Sequence, residues 1–209
     1  MIFGSLRTTH SVDMALKELL LGAILQWSPP WYPPGENPET PVQYEARLAT
    51  IAEAVALEAE AMPWRLGSPA LAAATLTIWY GESRFTYDVH VLGRSRWGQD
   101  LGQARCMGQV HATKLVPSEE WGRLVGGHLS ATRRCARATM RVLTAMARMC
   151  SINSLDPEQI AVMFGAYGSG KGCRASQQSR SRALRWQWLM ERIETPDLPF
   201  SMPAFVARR

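Results

Sequence analysis

The sequence predicts a mainly α fold with a small β-hairpin lobe, and three observations support this class. Several segments of the 209-residue chain carry apolar residues at helical spacing and end at glycine or proline. One shorter stretch alternates apolar and polar residues, which is typical of a strand. A hydrophobic content of 46%, with eight tryptophans, is enough to fill a core. Together these observations predict one folded domain with an N-terminal arm and a C-terminal tail.

Residues 1–41 form the predicted arm. Apolar residues at helical spacing predict an amphipathic helix over about residues 12–26 that packs on the body. Because Lys17 and Glu18 interrupt the apolar run, we interpret it neither as a signal peptide nor as a transmembrane segment. Residues 27–41 contain six prolines, which exclude a helix or a central strand. We therefore predict an extended connector that wraps the domain surface.

The body, residues 42–195, is predicted to consist mostly of helices. The first is an amphipathic helix over residues 42–62. Residues 70–80 are apolar on nearly every face, which predicts a buried helix that ends at Gly81. Further helices are predicted to begin near Ser118, Ser130, Asp156 and Ser176. The remaining residues, 196–209, are predicted to form an irregular surface tail.

A strand pattern follows the buried helix. Tyr87, Val89 and Val91 alternate with polar residues ahead of a glycine-rich stretch, which predicts the hairpin lobe. The same stretch carries two carboxylates, Asp88 and Asp100. Both lie in the segment that is expected to flank the end of the buried helix.

A further carboxylate, Glu82, directly follows the predicted helix end. Burial and the negative end of a helix dipole both disfavour the ionised form of a carboxyl group. A carboxyl group that keeps its proton near neutral pH can donate it to a leaving group. The sequence therefore predicts a general acid at Glu82.

The net charge narrows the class of possible partners, and the cysteine pattern bears on metal binding and disulfides. The formal net charge of +5 favours an anionic partner, which is a nucleic acid, an acidic membrane surface or a bacterial cell wall. The four cysteines lack the spacing of a zinc site, so neither a metal nor another cofactor is predicted. They permit two disulfides in any of three connectivities, or four reduced thiols. The cysteines are Cys106, Cys135, Cys150 and Cys173.

Three short segments follow one another in a characteristic order. They read Glu82-Ser83-Arg84-Phe85, Cys106-Met107-Gly108-Gln109-Val110 and Ala166-Tyr167-Gly168-Ser169-Gly170. They resemble the Glu-Ser-x-Phe, Gly-Leu-Met-Gln-Ile and Ala-Tyr-Asn-x-Gly motifs of the lysozyme-like lytic transglycosylases. The resemblance covers roughly residues 69–193. The chain departs from the family pattern at Cys106, Gly108 and Gly168, where the family has Gly, Met and Asn.

The resemblance implies a lysozyme-like fold in which a helical body and the hairpin lobe flank a substrate cleft. It implies that Glu82 is the catalytic acid and base of a peptidoglycan lytic transglycosylase or muramidase. It further implies that Ser83 steadies Glu82 or its substrate, and that Gln109 and Tyr167 bind the glycan strand. The expected partner is peptidoglycan, at the bacterial cell wall, in the periplasm, outside the cell or after delivery by a phage. We expect a monomer.

Two mechanisms remain open for such an enzyme. In a glycosidase with two carboxylates, Asp100 is the better partner for Glu82. An aspartate between Gly98 and Gly102 is, however, better explained as a turn residue than as a catalytic group. Without a second carboxylate, the resemblance implies that Glu82 draws the sugar's own 6-hydroxyl onto the anomeric carbon. The product is then a 1,6-anhydro sugar.

Alternatives from other functional classes also fit the sequence. A lysozyme-like domain that has lost activity would serve as a cell-wall or virion structural or binding module. A nucleic-acid-binding protein is a further alternative, because the helix predicted after Ser130 carries several arginines. Nucleotide binding is not predicted, since the glycine-rich residues 168–172 lack the spacing of a phosphate-binding loop.

Overall fold

The computed structural model describes residues 10–28, 39–94, 103–170 and 172–196, with side chains from Leu16 onward. This part of the chain is mainly helical with one two-stranded antiparallel sheet, which confirms the predicted mainly α class. The helices are α1 (His10–Trp27), α2 (Pro41–Ala61), α3 (Ser68–Ser83), α4 (Tyr87–His90), α5 (Ser118–Trp121), α6 (Leu129–Met149), α7 (Pro157–Ser169) and α8 (Gln177–Glu194). The strands are β1 (Ala104–Arg105) and β2 (Val110–His111).

Helix α3 is the centre of the fold. It packs against α1, α2, α6 and α8. Every side chain from Ala70 to Trp79 is buried, as the nearly uniform apolar sequence predicts. A helix that meets protein on all faces has no solvent-exposed polar stripe. The hydroxyl of Thr75 in its middle donates to the carbonyl of Leu71 at 2.9 Å, and its one charged residue, Glu82, lies near its C-terminal end.

Two buried tryptophans join α3 to its neighbours. The indole of Trp79 donates a hydrogen bond to Thr139 Oγ1 of α6 at 2.9 Å. The indole of Trp186 in α8 donates to the carbonyl of Ala70 at 3.2 Å. Because a buried indole N–H needs an acceptor, these bonds favour one rotation of α3 relative to α6 and α8.

Helix α3 does not end at Gly81, so that prediction is wrong. The helix continues to Ser83, and Arg84 ends it in the left-handed region with φ 53°. A Cβ atom on Gly81 would lie only 2.7 Å from Nε of Arg182. Side-chain packing therefore explains this glycine, which makes room for a guanidinium group from α8.

The strand predicted at Tyr87, Val89 and Val91 is also wrong. This position is occupied by α4, in which the adjacent residues Val89 and His90 are both buried. Burial of neighbouring residues suits a helical turn, because successive side chains of a strand point to opposite faces. The sheet lies later in the chain, where β1 and β2 pair on either side of a turn at residues 106–109.

The N-terminal arm helix is present as α1. It packs against α2, α3 and α8, and Leu20, Ile24 and Trp27 are buried. Most of the proline-rich connector, residues 29–38, and residues 197–209 of the predicted tail lie outside the described residues. Within the described part of the chain, no helix combines the length and apolar character that crossing a membrane requires.

Two disulfides connect distant parts of the chain. Cys106 pairs with Cys135, and Cys150 pairs with Cys173. The first joins the turn between β1 and β2 to α6. The second joins the end of α6 to the segment between α7 and α8. Of the connectivities that the sequence left open, the structure selects this one.

His90 connects α4 to α6 through a buried imidazole. Its Nε2 lies 2.8 Å from Thr132 Oγ1, whose own hydroxyl donates to the carbonyl of His128. Nε2 therefore carries the proton of the neutral ring. Burial, reinforced by the nearby Arg47 and His128, lowers the pKa of His90 to about 3.

We expect acid to destabilise the fold through His90. The pKa of a histidine in an unfolded chain is about 6.5, so the contribution of the neutral ring is complete above that pH and is lost as the pH falls towards the folded pKa. The free energy of unfolding should fall by about 1.4 kcal/mol per pH unit from this group between about pH 6 and pH 4. Urea unfolding at several pH values measures the slope.

The variant His90→Gln should show a shallower slope than wild type. The exposed His111 provides the matched control, and His111→Gln should retain the wild-type slope. Equal slopes in His90→Gln and wild type would contradict the assignment of a neutral, proton-excluding imidazole.

Candidate active site

A cavity of about 1030 Å³ lies where the C-terminal end of α3, the hairpin turn, α7 and α8 meet. Its wall includes Glu82, Gln109 and Tyr167, which are three of the predicted site residues. Ser83 is not part of the wall. Asp100 lies outside the described residues. The fold thus gathers side chains from three separate segments of the chain around one space.

Glu82 forms an ion pair with Arg182 of α8. Nη1 of Arg182 lies 2.7 Å from Oε1 of Glu82. The side chain of Arg182 is 6% exposed and that of Glu82 is 13% exposed. Arg182 also lines the cavity. Sequence reasoning missed this residue. The arginine-rich composition of α8 was visible, but nothing local distinguishes Arg182 from Arg180 or Arg185, and only packing shows which one faces α3.

Hydrogen bonds at the end of α3 fix the backbone that carries Glu82. The hydroxyl of Ser83 donates to the carbonyl of Trp79 at 2.6 Å and accepts from the backbone N–H of Phe85 at 3.2 Å. Phe85, with φ 54°, is held in the left-handed region by Arg47, whose Nη1 donates to its carbonyl at 2.7 Å. Ser83 is fully buried, so in this structure it secures the helix end and does not face the cavity.

Tyr167 closes the cavity wall from α7. Its hydroxyl donates to the carbonyl of Gly108 at 2.6 Å. Burial, together with the negative charge of Glu82, raises the pKa of Tyr167 above its ordinary value, so the phenol remains a hydrogen-bond donor. A Cβ atom on Gly108 would lie 3.0 Å from this hydroxyl and closer still to Thr139 Oγ1. The glycine is therefore required chiefly by Thr139, and it also eases the approach of the tyrosine.

Gln109 belongs to the turn between β1 and β2. Its backbone N–H and its side-chain Nε2 both donate to the carbonyl of Cys106, at 3.0 Å and 2.9 Å. Cys106 and Gln109 both have positive φ angles, of 57° and 48°. The side-chain amide therefore braces a strained turn, and the disulfide from Cys106 to Cys135 ties that turn to α6.

Among the described residues of the cavity wall, Glu82 is the only carboxylate. Asp88, the other acidic residue of the predicted lobe within the described part, is exposed and pairs with Arg94 at 3.2 Å. It does not line the cavity. Over the described ranges, no group of three histidine, cysteine, aspartate or glutamate side chains is placed to hold a metal ion.

Three of the five arginines of α6 make internal ion pairs. Arg133 and Arg137 contact Glu58 at 2.6 and 2.8 Å, and Arg141 contacts Glu120 at 2.6 Å. Burial opposes ionisation of Glu58, yet the hydrogen bonds from Arg137 and Arg133 hold its pKa below the ordinary value. Three guanidinium groups that already face carboxylates are poorly placed to neutralise phosphates, which disfavours a nucleic-acid-binding face on α6.

Comparison of the chain with protein-family models, with curated proteins and with solved structures finds no match. Function must therefore be inferred from the geometry and chemistry of the cavity, because a helical architecture alone is compatible with many activities.

The two disulfides should contribute similar stability but different local order. They span 29 and 23 residues, and the chain-entropy model predicts that each stabilises the fold by about 3 to 4 kcal/mol. Replacing Cys106 and Cys135 by serine should also accelerate amide hydrogen exchange at Gln109, because the backbone N–H of Gln109 donates a hydrogen bond to the carbonyl of Cys106. Replacing Cys150 and Cys173 is the matched control. Unchanged exchange at Gln109 in the first variant would refute this role.

Proposed function

We propose that the chain is a peptidoglycan-cleaving enzyme of the lysozyme-like class, a lytic transglycosylase or muramidase, with Glu82 as acid and base. The observation that carries the proposal is that Glu82, Gln109 and Tyr167 line one cavity. Each comes from a different one of the three family-like motifs. Short motifs that matched by chance would have no reason to converge on the same space.

The proposed reaction requires the protonated form of Glu82, so the carboxylate that pairs with Arg182 first takes up a proton from solvent. The carboxyl group then transfers this proton to the glycosidic oxygen. The bond from that oxygen to the anomeric carbon then breaks, and the sugar ring acquires oxocarbenium character. The resulting carboxylate removes a proton from the attacking hydroxyl, which restores the acid. If the attacking group is the 6-hydroxyl of the same sugar, the product has a 1,6-anhydro end. If it is water, the product has a reducing end.

Two features of the cavity support this chemistry. Glu82 is 13% exposed, which allows contact with a bound sugar while most of the side chain is shielded from water. No other carboxylate is present among the described wall residues, which favours the route in which Glu82 works alone. Asp100 is the remaining candidate for a second carboxylate.

The charge balance supports an anionic substrate. The chain carries a formal net charge of +5, and the exposed Arg174 lines the same cavity as Glu82. Peptidoglycan bears carboxylates, so a basic enzyme is suited to it. We place the activity at the bacterial cell wall, in the periplasm, outside the cell or after delivery by a phage, and propose a monomer.

The ion pair between Glu82 and Arg182 also supports a second candidate function. Nearly buried ion pairs are common structural features, and a glutamate used only in this way would leave a non-catalytic cell-wall or virion binding module. Such a module would bind peptidoglycan without cleaving it. The nucleic-acid alternative is weaker, because three arginines of α6 are engaged in internal ion pairs.

Turnover of purified peptidoglycan by Glu82→Gln tests the catalytic role. Glutamine keeps the shape of the side chain and an oxygen that can accept from Arg182, but it cannot transfer a proton. We expect the release of soluble fragments to fall by about 10²- to 10⁴-fold. The control is Glu158→Gln, which alters an exposed glutamate of α7 that pairs with Arg180. An inert wild type, or equal rates in wild type and Glu82→Gln, would show the assignment to be wrong.

Mass spectrometry of the released fragments tests the mechanism. Because the described cavity wall contains a single carboxylate, we expect 1,6-anhydro ends and near-wild-type activity in Asp100→Asn. Reducing ends, combined with loss of activity in Asp100→Asn, would instead establish a pair of catalytic carboxylates.

A further inference from the structure

We propose that Arg182 is the positioning residue of Glu82, and that its guanidinium orients the carboxyl group and stabilises the charge left by proton donation. This inference rests on the proposed function of Glu82. Arg182 belongs to α8, outside the three family-like motifs in the sequence, and acts through Glu82.

The contact is short and lies in a largely water-excluded region. The distance between Nη1 of Arg182 and Oε1 of Glu82 is 2.7 Å, and the arginine side chain is 6% exposed. A charge-assisted hydrogen bond in such surroundings is stronger and more directional than one on the surface. The carboxyl group is therefore held in one orientation, at the cavity wall that both residues line.

One glycine leaves room for the guanidinium group. A Cβ atom on Gly81 of α3 would lie 2.7 Å from Nε and 3.0 Å from Cζ of Arg182. A Cβ atom on Gly168 of α7 would lie at an ordinary contact distance of 3.7 Å from Nη1, so this glycine is not needed for the space. Glycine is unfavourable inside a helix, and alanine at position 81 would suit α3 better by propensity alone. The absence of a side chain at Gly81 is thus accounted for by the position of Arg182.

The neighbouring arginines of α8 do not duplicate this contact. Arg185 lies over the rings of Tyr80 and Trp27, with Cζ 4.5 and 5.8 Å from their centres. Arg180 is exposed and pairs with Glu158 of α7 at 2.8 Å. Only Arg182 of these three contacts Glu82 in the described structure.

This geometry has a specific kinetic consequence. When Glu82 gives its proton to the glycosidic oxygen, a carboxylate forms next to a fixed positive charge. Relative to the bound complex in which Glu82 holds its proton, the interaction is stronger after proton transfer, so it stabilises the transition state of that step more than this complex. Because Arg182 is proposed to act through Glu82, loss of the guanidinium should lower kcat with little change in KM.

Three variants test the inference on peptidoglycan turnover. In Arg182→Gln we expect kcat to fall by about 10- to 100-fold and KM to remain within about 2-fold. Arg182→Lys should recover part of kcat, because it retains a positive charge. Arg180→Gln removes the same charge two residues earlier in α8 and should have wild-type kcat and KM. Circular dichroism and thermal unfolding establish that each protein is folded.

Gly81→Ala provides a test that removes no charge. Alanine is a better helix former than glycine, so the variant should fold, while its Cβ displaces the guanidinium from Glu82. We expect kcat to fall with KM unchanged, as in Arg182→Gln. If Arg182→Gln does not fold, kcat of Gly81→Ala alone decides whether Arg182 positions Glu82. Wild-type kcat in folded Gly81→Ala and in folded Arg182→Gln would overturn the inference.

A spectroscopic measurement separates failure of this inference from failure of the proposed function. The ¹³C carboxyl signal of Glu82 should move in Arg182→Gln and in Gly81→Ala, and should stay in place in Arg180→Gln. A signal that none of the variants moves would overturn the positioning role. An inert wild-type protein would overturn the proposed function. An active wild type whose kcat survives both Arg182→Gln and Gly81→Ala would overturn only the role of Arg182.

Discussion

The ion pair between Glu82 and Arg182 is the interaction on which the geometry of the candidate site depends. Within α3, Glu82 is the only charged side chain, and the helix before it is buried on every face. A charge at the end of such a helix is stable only if it is paired or reaches water. Arg182 supplies the pair and the cavity supplies the access to solvent. The position of α8 and the glycine at position 81 both fit this requirement.

The opposite wall of the cavity is held by a different set of constraints. Gly108 admits the hydroxyl of Tyr167, and the turn that carries Gln109 is braced by hydrogen bonds to Cys106. The disulfide from Cys106 to Cys135 anchors this turn to α6. A two-stranded hairpin is marginally stable by itself, so its tip needs such tethers to maintain a defined surface. Cys106 and Gly108, two of the three positions at which the chain departs from the motifs that it resembles, thus have structural explanations.

Much of the fold could be predicted because it depends on local patterns. The amphipathic helices, the buried character of residues 70–80 and the helix entrance at Asp156 follow from periodicity and capping, which operate within a few residues. The strand predicted at Tyr87, Val89 and Val91 was wrong because this short local pattern does not decide between a strand and a helical turn. Three alternating apolar residues are compatible with a helical turn, and the burial of His90 against Thr132 of α6 is a contact between distant segments.

The sequence by itself determined a mainly helical fold, a central buried helix, and a carboxylate at the end of that helix. It also indicated Gln109 and Tyr167 through short motifs, and the structure places both beside the same cavity as Glu82. Only the tertiary structure decided that Arg182 is the partner of Glu82, that the cysteines pair as they do, and that Ser83 is buried. These outcomes depend on which surfaces of distant helices pack together, and a local sequence pattern does not determine that packing.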